Sequence, residues 1–358
     1  MEFSEAGDPA SPRLRRVLLA FTLVASYEVL GEGEETGERG MVYNGRMSRV
    51  LVSGSVAYDR IMDFPGHFRD HFLAHKLHTI NVSFAVEGVE ENFGGTAGNI
   101  AYNLKLLGHE PEILSTAGSD FSAYRTYLEE KKISADAIHV DTSQLTSSAY
   151  IITDKADNQI AAFSFGAGKI AYGRLPKTEG AACAIVGAGN PDDMRVLPAH
   201  YRDKRLAYFY DPAQEIPILS ADDLRKGIEG AAGLFGNDYE IDLIIQKTGW
   251  SEKELCERVP IVVVTLGESG SRVTTKEAAE RVRAVGVSNV LDPTGAGDAY
   301  RAGFIAGYVE GQAPRVCAQL ASAVAAYAVE KQGTQNHRFT LAELRKRYSD
   351  TYGENCPL

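Results

Sequence analysis

The sequence has few cysteines, no long apolar run and no excess of basic charge. Only 4 cysteines occur among 358 residues, and no two of them are close enough to form a zinc or redox motif. Unpaired thiols are typical of a reducing compartment, which predicts a cytoplasmic protein. No stretch of about 18 apolar residues is present, so we predict no membrane-spanning helix.

The charge balance is acidic. Lys and Arg total 37 against 48 for Asp and Glu, a formal net charge of −11. A nucleic-acid-binding protein needs a basic surface, so the balance argues against that class. Hydrophobic residues make up 44% of the chain and charged residues 24%, which is typical of a folded globular protein. We therefore expect small-molecule partners, and either a monomer or a homodimer.

Residues 1–46 differ in pattern from the remainder of the chain. Three arginines precede an apolar run at 17–25, and the stretch 31–40 is acidic and rich in glycine. We interpret residues 1–46 as a leader or a translated upstream extension without regular structure, with a secretory signal as the alternative. Regular alternation of strands and helices starts at Met47, and we place the core domain at about 47–350.

Strand-like and helix-like patterns alternate through this core. Short β-rich runs at 49–53, 183–186, 206–210, 233–235 and 261–265 are followed by helical patterns, and long helical patterns lie at 96–107, 296–311 and 315–332. Alternation of this kind predicts a mostly parallel sheet that is covered by helices on both faces, a three-layer α/β/α fold.

Two segments do not fit the alternation. Residues 149–153 and 159–165 flank a turn and predict a β-hairpin, while the stretch 61–93 is strand-like but irregular. Together they predict a small β lid that is inserted into the core, from segments at about 60–93 and 146–168.

The richest chemical motif is a glycine pair followed by an acid at the start of a predicted helix. Gly295, Ala296 and Gly297 are small, and their backbone N–H groups would form an anion hole at the positive end of the helix dipole. Asp298 follows in the first turn. Its carboxylate could accept a hydroxyl proton while the amides hold a phosphate. The alternative role of Asp298 is a helix cap.

A second cluster follows another predicted strand. Asn237 and Glu240 are three residues apart, so both can reach one face of a first helical turn. An amide and a carboxylate suit Mg²⁺ that is held partly through water, and a capping box is the alternative. The glycine-rich turn with Thr265, Gly267 and Gly270 could approach a nucleotide closely.

Polar side chains also follow the first strands. Gly94 and Gly95 start a helix that carries Asn99 near its N-terminus, where the amide could bind ligand hydroxyls. Asp59 follows the first strand and could accept two hydroxyl protons from a diol. Turn or cap chemistry is the alternative explanation for each residue.

Four histidines form a competing cluster. His67, His71, His75 and His78 have a spacing that would present a metal-binding face on a helix. Because they fall where strand and loop are expected, we interpret them as structural or incidental.

In chain order the motifs are similar to those of the ribokinase-like (PfkB) family of sugar and nucleoside kinases: Asp59, Gly94–Asn99, Asn237–Glu240, Thr265–Gly270 and Gly295–Asp298. Within that family the chain most resembles bacterial adenosine kinases, through segments such as FGGTAGNIAYNLKLLG, NDYEIDLIIQKTGWSE and DPTGAGDAYRAGF. The resemblance covers about 300 residues and implies a ribokinase-like fold. It also implies an ATP- and Mg²⁺-dependent kinase that phosphorylates the 5′-hydroxyl of adenosine.

The same resemblance implies roles for individual residues. Asp298 would be the catalytic base, and Gly295, Ala296 and Gly297 would supply the anion hole. Ribose would be held by Ser55, Asp59, Gly94, Gly95 and Asn99. Asn237 and Glu240 would position Mg²⁺, and Asn237, Thr265, Gly267 and Gly270 would line the ATP site. The loops at 292–294 and 333–334 would lie near a K⁺ site.

Three points stay open at this stage. Phe163 is interpreted either as a stacking partner for adenine or as a residue of plain lid packing. The stretch Gly166-Ala167-Gly168 departs from the pattern that the family resemblance implies at the end of the lid. The alternative functions are a sugar kinase of the same family, acting on ribose, fructose or a related sugar, and a catalytically silent nucleoside-binding protein.

Overall fold

The structure of the protein is a computed structural model, and it describes residues 47–72, 79, 81–156 and 158–358. The strands are β1 (Arg49–Ser53), β2 (Ala57–Asp63), β3 (Val89–Gly94), β4 (Glu110–Leu114), β5 (Thr116–Ala117), β6 (His139–Val140), β7 (Ser147–Thr153), β8 (Gln159–Ser164), β9 (Ala181–Val186), β10 (Tyr208–Tyr210), β11 (Gly233–Asn237), β12 (Val262–Thr265), β13 (Ser271–Thr274) and β14 (Ala279–Val282). The helices are α1 (Thr96–Leu106), α2 (Ser122–Glu130), α3 (Pro191–Asp203), α4 (Ala221–Ile228), α5 (Asp238–Thr248), α6 (Glu252–Arg258), α7 (Ala296–Val309), α8 (Pro314–Val329) and α9 (Leu341–Tyr352).

A central sheet of eight strands has the order β14-β13-β12-β11-β10-β9-β1-β4. Neighbours from β12 to β4 are parallel, while β13 and β14 run antiparallel at one edge. The mostly parallel sheet confirms the prediction from alternation. The antiparallel edge was missed because its strands have four residues each and carry charged side chains.

Alternating side chains of each strand enter two separate hydrophobic layers. Along β1, Val50 and Val52 pack with α1, α2, α7 and α8, whereas Leu51 packs with α3, α4, α5 and α6 on the opposite face. All three side chains are fully buried. Because a strand points successive residues to opposite faces, an uninterrupted apolar run in the sequence gives a sheet that is covered on both sides.

A second sheet has four strands in the order β3-β2-β7-β8. The strands β7 and β8 pair antiparallel, as predicted for the hairpin, and β2 joins them through parallel pairing with β7. Both segments that interrupt the alternation therefore contribute to one small sheet. Every residue of β8 is exposed.

The described core continues past residue 350. The helix α9 begins with a capping box between Thr340 and Glu343, and it packs Leu344 and Tyr348 into a third hydrophobic cluster together with Leu358 near the chain end. The sequence analysis missed α9 because most of its residues are polar. In the described part of the chain, no helix is long and apolar enough to cross a membrane.

Candidate active site

The side chains of Asn99 on α1 and Asp298 on α7 meet, although they lie 199 positions apart in the sequence. Asn99 Nδ2 donates a hydrogen bond of 2.7 Å to Asp298 Oδ2. Both residues lie in the first turn of their helix. The structure therefore brings the two glycine-rich motifs of the sequence together at one place.

Glycines in unusual backbone conformations start both helices. Gly95 has φ 88° before α1, and Gly295 has φ 77° before α7, a region that other residues rarely adopt. The first amides of a helix have no carbonyl partner within it and point toward its positive end. The N–H of Ala296 is less available for a ligand, because it donates a hydrogen bond of 3.3 Å to Pro293 O. The predicted anion hole therefore depends mainly on the other first-turn amides.

The carboxyl group of Asp298 is a weaker acid than an exposed aspartate. Its burial raises the pKa to about 7, and the negative charges of Asp211 and Asp59 act in the same direction. The hydrogen bond from Asn99 and the positive charge of Arg301 oppose this rise in pKa. A carboxylate whose pKa lies near neutral pH is well suited to take a proton from a substrate hydroxyl.

A buried ion pair lies one helical turn from Asp298. Arg301 Nε and Nη2 donate to the two carboxylate oxygens of Asp211 at 2.6 and 2.8 Å, and the two side chains are 7% and 1% exposed. The third guanidinium nitrogen of Arg301 lies 2.8 Å from the position that a Cβ on Gly297 would occupy. Sequence analysis singled out neither member of the pair. The sequence feature that could have identified the pair is a single arginine within an otherwise apolar helical segment.

A chain of buried hydrogen bonds fixes the amide of Asn99. Gln335 Nε2 donates to Asn99 Oδ1 and to the hydroxyl oxygen of Tyr124, both at 2.9 Å. The Tyr124 hydroxyl in turn donates to Gly94 O at 2.8 Å. The NH₂ group of Gln335 can only donate hydrogen bonds, so the oxygen of the Asn99 amide must face Gln335. The NH₂ group of Asn99 therefore faces Asp298.

The remaining predicted ribose-binding residues surround the start of α1. Ser55 Oγ accepts a hydrogen bond of 3.1 Å from Thr96 N–H, and a Cβ on Gly94 would collide with the carboxylate of Asp59. Burial raises the pKa of Asp59 to about 6, and the charge of Asp292 adds to the rise. One cluster thus holds all five residues: Ser55, Asp59, Gly94, Gly95 and Asn99.

A cavity of about 610 Å³ opens beside Ser55, a volume typical of small-molecule sites. Its walls come from the loops after β1, β9 and β10, and from Phe163 and Phe165 at the end of β8. The two rings are about half exposed and meet edge to face at 5.0 Å. Sequence analysis identified Phe163 but missed Phe165. Gly168, in the stretch that departs from the family pattern, also lines the cavity.

The predicted ATP-binding residues lie at the ends of two adjacent strands. Asn237 and Thr265 are direct partners at the carboxyl ends of β11 and β12. Gly267 and Gly270 follow in a tight turn with φ 58° and 89°. Because ligands bind at the carboxyl ends of parallel strands, this placement is compatible with a nucleotide site.

Asn237 and Glu240 form a reciprocal capping box at the start of α5. Asn237 Oδ1 accepts from Glu240 N–H and Glu240 Oε2 accepts from Asn237 N–H, both at 2.8 Å. The structure therefore contains the capping box, which was the alternative interpretation of this pair. One oxygen of Glu240 is outside the box, and the carboxylate lies close enough to Asp211 and Arg301 for their charges to affect its pKa, which burial raises.

Two other predictions concern ions. The loops at 292–294 and 333–334, predicted to lie near K⁺, are in contact, because Gly333 N–H donates to Asp292 Oδ2 at 2.9 Å. His71 packs its ring against Phe64 at 5.1 Å, while His75 and His78 lie outside the described residues. Among the residues that the structure describes, no group of three or more His, Cys, Asp and Glu could hold a metal ion.

Similar proteins agree with this combination of fold and site. The family profile described as pfkB family carbohydrate kinase matches residues 47–340. A nucleoside kinase from Methanocaldococcus jannaschii is 31% identical over 306 residues, which are 85% of this chain and 97% of that protein. The structure of Burkholderia thailandensis nucleoside kinase in complex with inosine is 35% identical, with a TM-score of 0.77, and the match covers 86% of this chain and 99% of that one.

The three-layer fold and the helix N-terminus beside an acid define a kinase of the ribokinase fold, which confirms the predicted fold class. The chain belongs to the pfkB family of carbohydrate kinases, a family of ATP-dependent kinases. It is therefore a phosphotransferase with an alcohol group as acceptor. The closer resemblance to adenosine kinases stays a prediction.

The charges around Asp298 predict opposite effects of two substitutions on its pKa. Arg301→Gln removes a positive charge and should raise the pKa, whereas Asp211→Asn removes a negative charge and should lower it. Titration of the Asp298 carboxyl by ¹³C NMR measures both shifts. Arg301→Lys keeps the charge and is the control that should stay near the wild-type value. A shift in the same direction for all variants would show that disturbed packing, rather than charge, governs the pKa.

Proposed function

We propose that the protein transfers the γ-phosphoryl group of ATP to the 5′-hydroxyl of a purine nucleoside, with adenosine as a substrate that gives AMP and ADP. The observation that carries this proposal is the hydrogen bond between Asn99 and Asp298 at the N-terminus of α7. This contact supports the proposal because an amide that could bind a hydroxyl and a carboxylate of raised pKa lie beside the first amides of a helix.

In this proposal Asp298 takes the proton from the 5′-hydroxyl as its oxygen attacks the γ-phosphorus. The carboxyl must be ionised to accept a proton, so its burial matches its basicity to neutral pH. First-turn amides of α7, with Gly297 among them, stabilise the negative charge on the transferring phosphoryl group. Gly295 serves this arrangement through its left-handed backbone, which turns the chain into the helix.

The ribose would lie at the N-terminus of α1. Asp59 accepts hydrogen bonds from two neighbouring ribose hydroxyls, and Asn99 and Ser55 contribute further hydrogen bonds to the sugar. The backbone of Gly95 can approach the sugar closely because no side chain stands there. The small sheet closes over this site as a lid and keeps water from the phosphoryl group.

The base would occupy the cavity beside Ser55. The rings of Phe163 and Phe165 offer apolar faces and edges to a purine there. The related Burkholderia thailandensis protein is known in complex with inosine, which supports a nucleoside acceptor. A sugar kinase that acts on a phosphorylated sugar would need the cations Lys169 and Arg195 of the same cavity, and Arg195 is already paired with acidic side chains.

ATP would bind beside the anion hole, along Asn237, Thr265, Gly267 and Gly270. The residues present fit a divalent cation, since the second oxygen of Glu240 is available for a water-mediated contact. When bound, Mg²⁺ would neutralise charge on the ATP phosphates. K⁺ near the contact between the loops at 292–294 and 333–334 stays a prediction.

The proposal predicts a strong preference for adenosine over free sugars. One aromatic contact with a base contributes about 1–3 kcal/mol, and hydrogen bonds to the purine add to it. We expect kcat/KM for adenosine to exceed that for ribose and fructose by at least about 10²-fold.

Asp298→Asn should lower kcat by about 10²–10⁴-fold with little change in substrate affinity.

Asp242→Asn, an exposed acid on α5, is the control and should keep wild-type kinetics. Equal kcat/KM for ribose and adenosine would contradict the nucleoside acceptor. An Asp298→Asn enzyme with wild-type kcat would contradict the role of the base.

One substitution distinguishes a metal-binding role of Glu240 from its role in the capping box. Glu240→Gln keeps the N3 side chain of the capping box, so the melting temperature should stay the same. We expect the Mg²⁺ concentration for half-maximal rate to rise by roughly severalfold, because Gln lacks the negative charge of Glu. Glu254→Gln, at the same position of the capping box of α6, is the matched control. An unchanged Mg²⁺ titration for Glu240→Gln would leave only the capping role.

A further inference from the structure

Glu215 is a buried acid in the wall of the cavity beside Ser55, and no step above uses it. It ends the short 3₁₀ helix Ala213–Glu215 that follows β10. Its exposed fraction is 5%, and it is one of the residues that line the cavity. Sequence analysis did not single it out.

The carboxyl group of Glu215 has no hydrogen-bond or ion-pair partner within the described part of the chain. The other two acids of the cavity wall are engaged. Asp192 accepts from Arg195 at 2.6 Å, and Asp193 accepts from the backbone N–H of Tyr172 at 2.8 Å. Buried carboxylates are normally paired or hydrogen-bonded. An unpaired one in a cavity wall indicates a group that receives its hydrogen bonds from a ligand.

The chemistry of a carboxylate restricts that ligand. An ionised carboxylate only accepts hydrogen bonds, so the ligand must present N–H or O–H donors at this place. In the proposed pose, Asp59 and Asn99 hold the ribose hydroxyls at the N-terminus of α1. The part of a nucleoside that extends past Ser55 into the cavity is the base, whose donors are amino and ring N–H groups.

We propose that the Glu215 carboxylate accepts hydrogen bonds from N–H groups at the edge of the nucleobase. It thereby selects nucleosides whose base carries such a donor, for example the 6-amino group of adenine or the N1–H of hypoxanthine. This inference rests on the proposed nucleoside kinase function and identifies the part of the substrate that is read.

Purine riboside is the probe that tests this role, because its base has no N–H donor. For the wild-type protein we expect kcat/KM for adenosine to exceed that for purine riboside by roughly 10- to 100-fold, the discrimination typical of base-reading hydrogen bonds. Glu215→Leu should bring this ratio to within about threefold of one, since adenosine then loses its acceptor. Glu215→Gln keeps one acceptor oxygen and should give an intermediate ratio.

Two controls keep the result independent of folding and of general damage. Removal of an unpaired buried carboxyl should leave the melting temperature of Glu215→Leu at or above the wild-type value. Asp242→Asn changes an exposed acid of α5 outside the cavity, and it should keep the wild-type ratio. Dissociation constants for both nucleosides, measured by calorimetry, should follow the same order as kcat/KM.

The outcomes distinguish this inference from the function on which it rests. A folded Glu215→Leu protein that still prefers adenosine as strongly as wild type would overturn the role of Glu215 and leave the kinase proposal intact. A wild-type protein that phosphorylates neither nucleoside would overturn both. Loss of preference in Glu215→Leu, with the Asp242→Asn ratio unchanged, supports the inference.

Discussion

The contact between Asn99 and Asp298 is the constraint on which the site depends. It joins the first turns of two helices from distant parts of the chain, and the short distance of 2.7 Å holds them in one relative position. The buried side chain of Gln335 donates hydrogen bonds to Asn99 Oδ1 and to the Tyr124 hydroxyl, which leaves the Asn99 amide only one orientation. The N-terminus of α7, the carboxylate of Asp298 and the N-terminus of α1 are therefore held in one arrangement. In the proposed function this arrangement is the electrostatic preorganisation that lowers the barrier.

A buried positive charge partly offsets the negative charges around this contact. Asp298, Asp59 and Asp211 are three carboxylates whose charges disfavour one another, and Arg301 is the buried cation that offsets them. Because Arg301 is held by two hydrogen bonds to Asp211, its charge remains in place beside Asp298. Replacement of only one member of such a buried pair costs about 3–5 kcal/mol, so the pair stabilises this region. The basicity of Asp298 comes mainly from its burial, and the two charges of the pair change it in opposite directions.

Local patterns were sufficient to predict the parallel sheet, the lid hairpin and the residues that begin α1 and α7. These features depend on side-chain periodicity and on glycines beside a helix start, which are visible within a few residues. The ion pair between Asp211 and Arg301 and the support of Asn99 by Gln335 depend on tertiary packing between distant elements, and no short segment carries that information. For Asn237 and Glu240 the local pattern is ambiguous, because the same spacing suits a capping box and a metal site equally well.

The ³¹P NMR spectrum of the product, recorded with proton coupling, tests most directly whether this arrangement transfers phosphate to the 5′-oxygen of a nucleoside. A 5′-phosphate couples to the two protons on C5′ and gives a triplet, whereas a 2′- or 3′-phosphate couples to one proton and gives a doublet. With adenosine and Mg²⁺-ATP we predict a triplet that grows as ATP is consumed. A doublet, or inorganic phosphate alone, would contradict the placement of the 5′-hydroxyl between Asp298 and the N-terminus of α7.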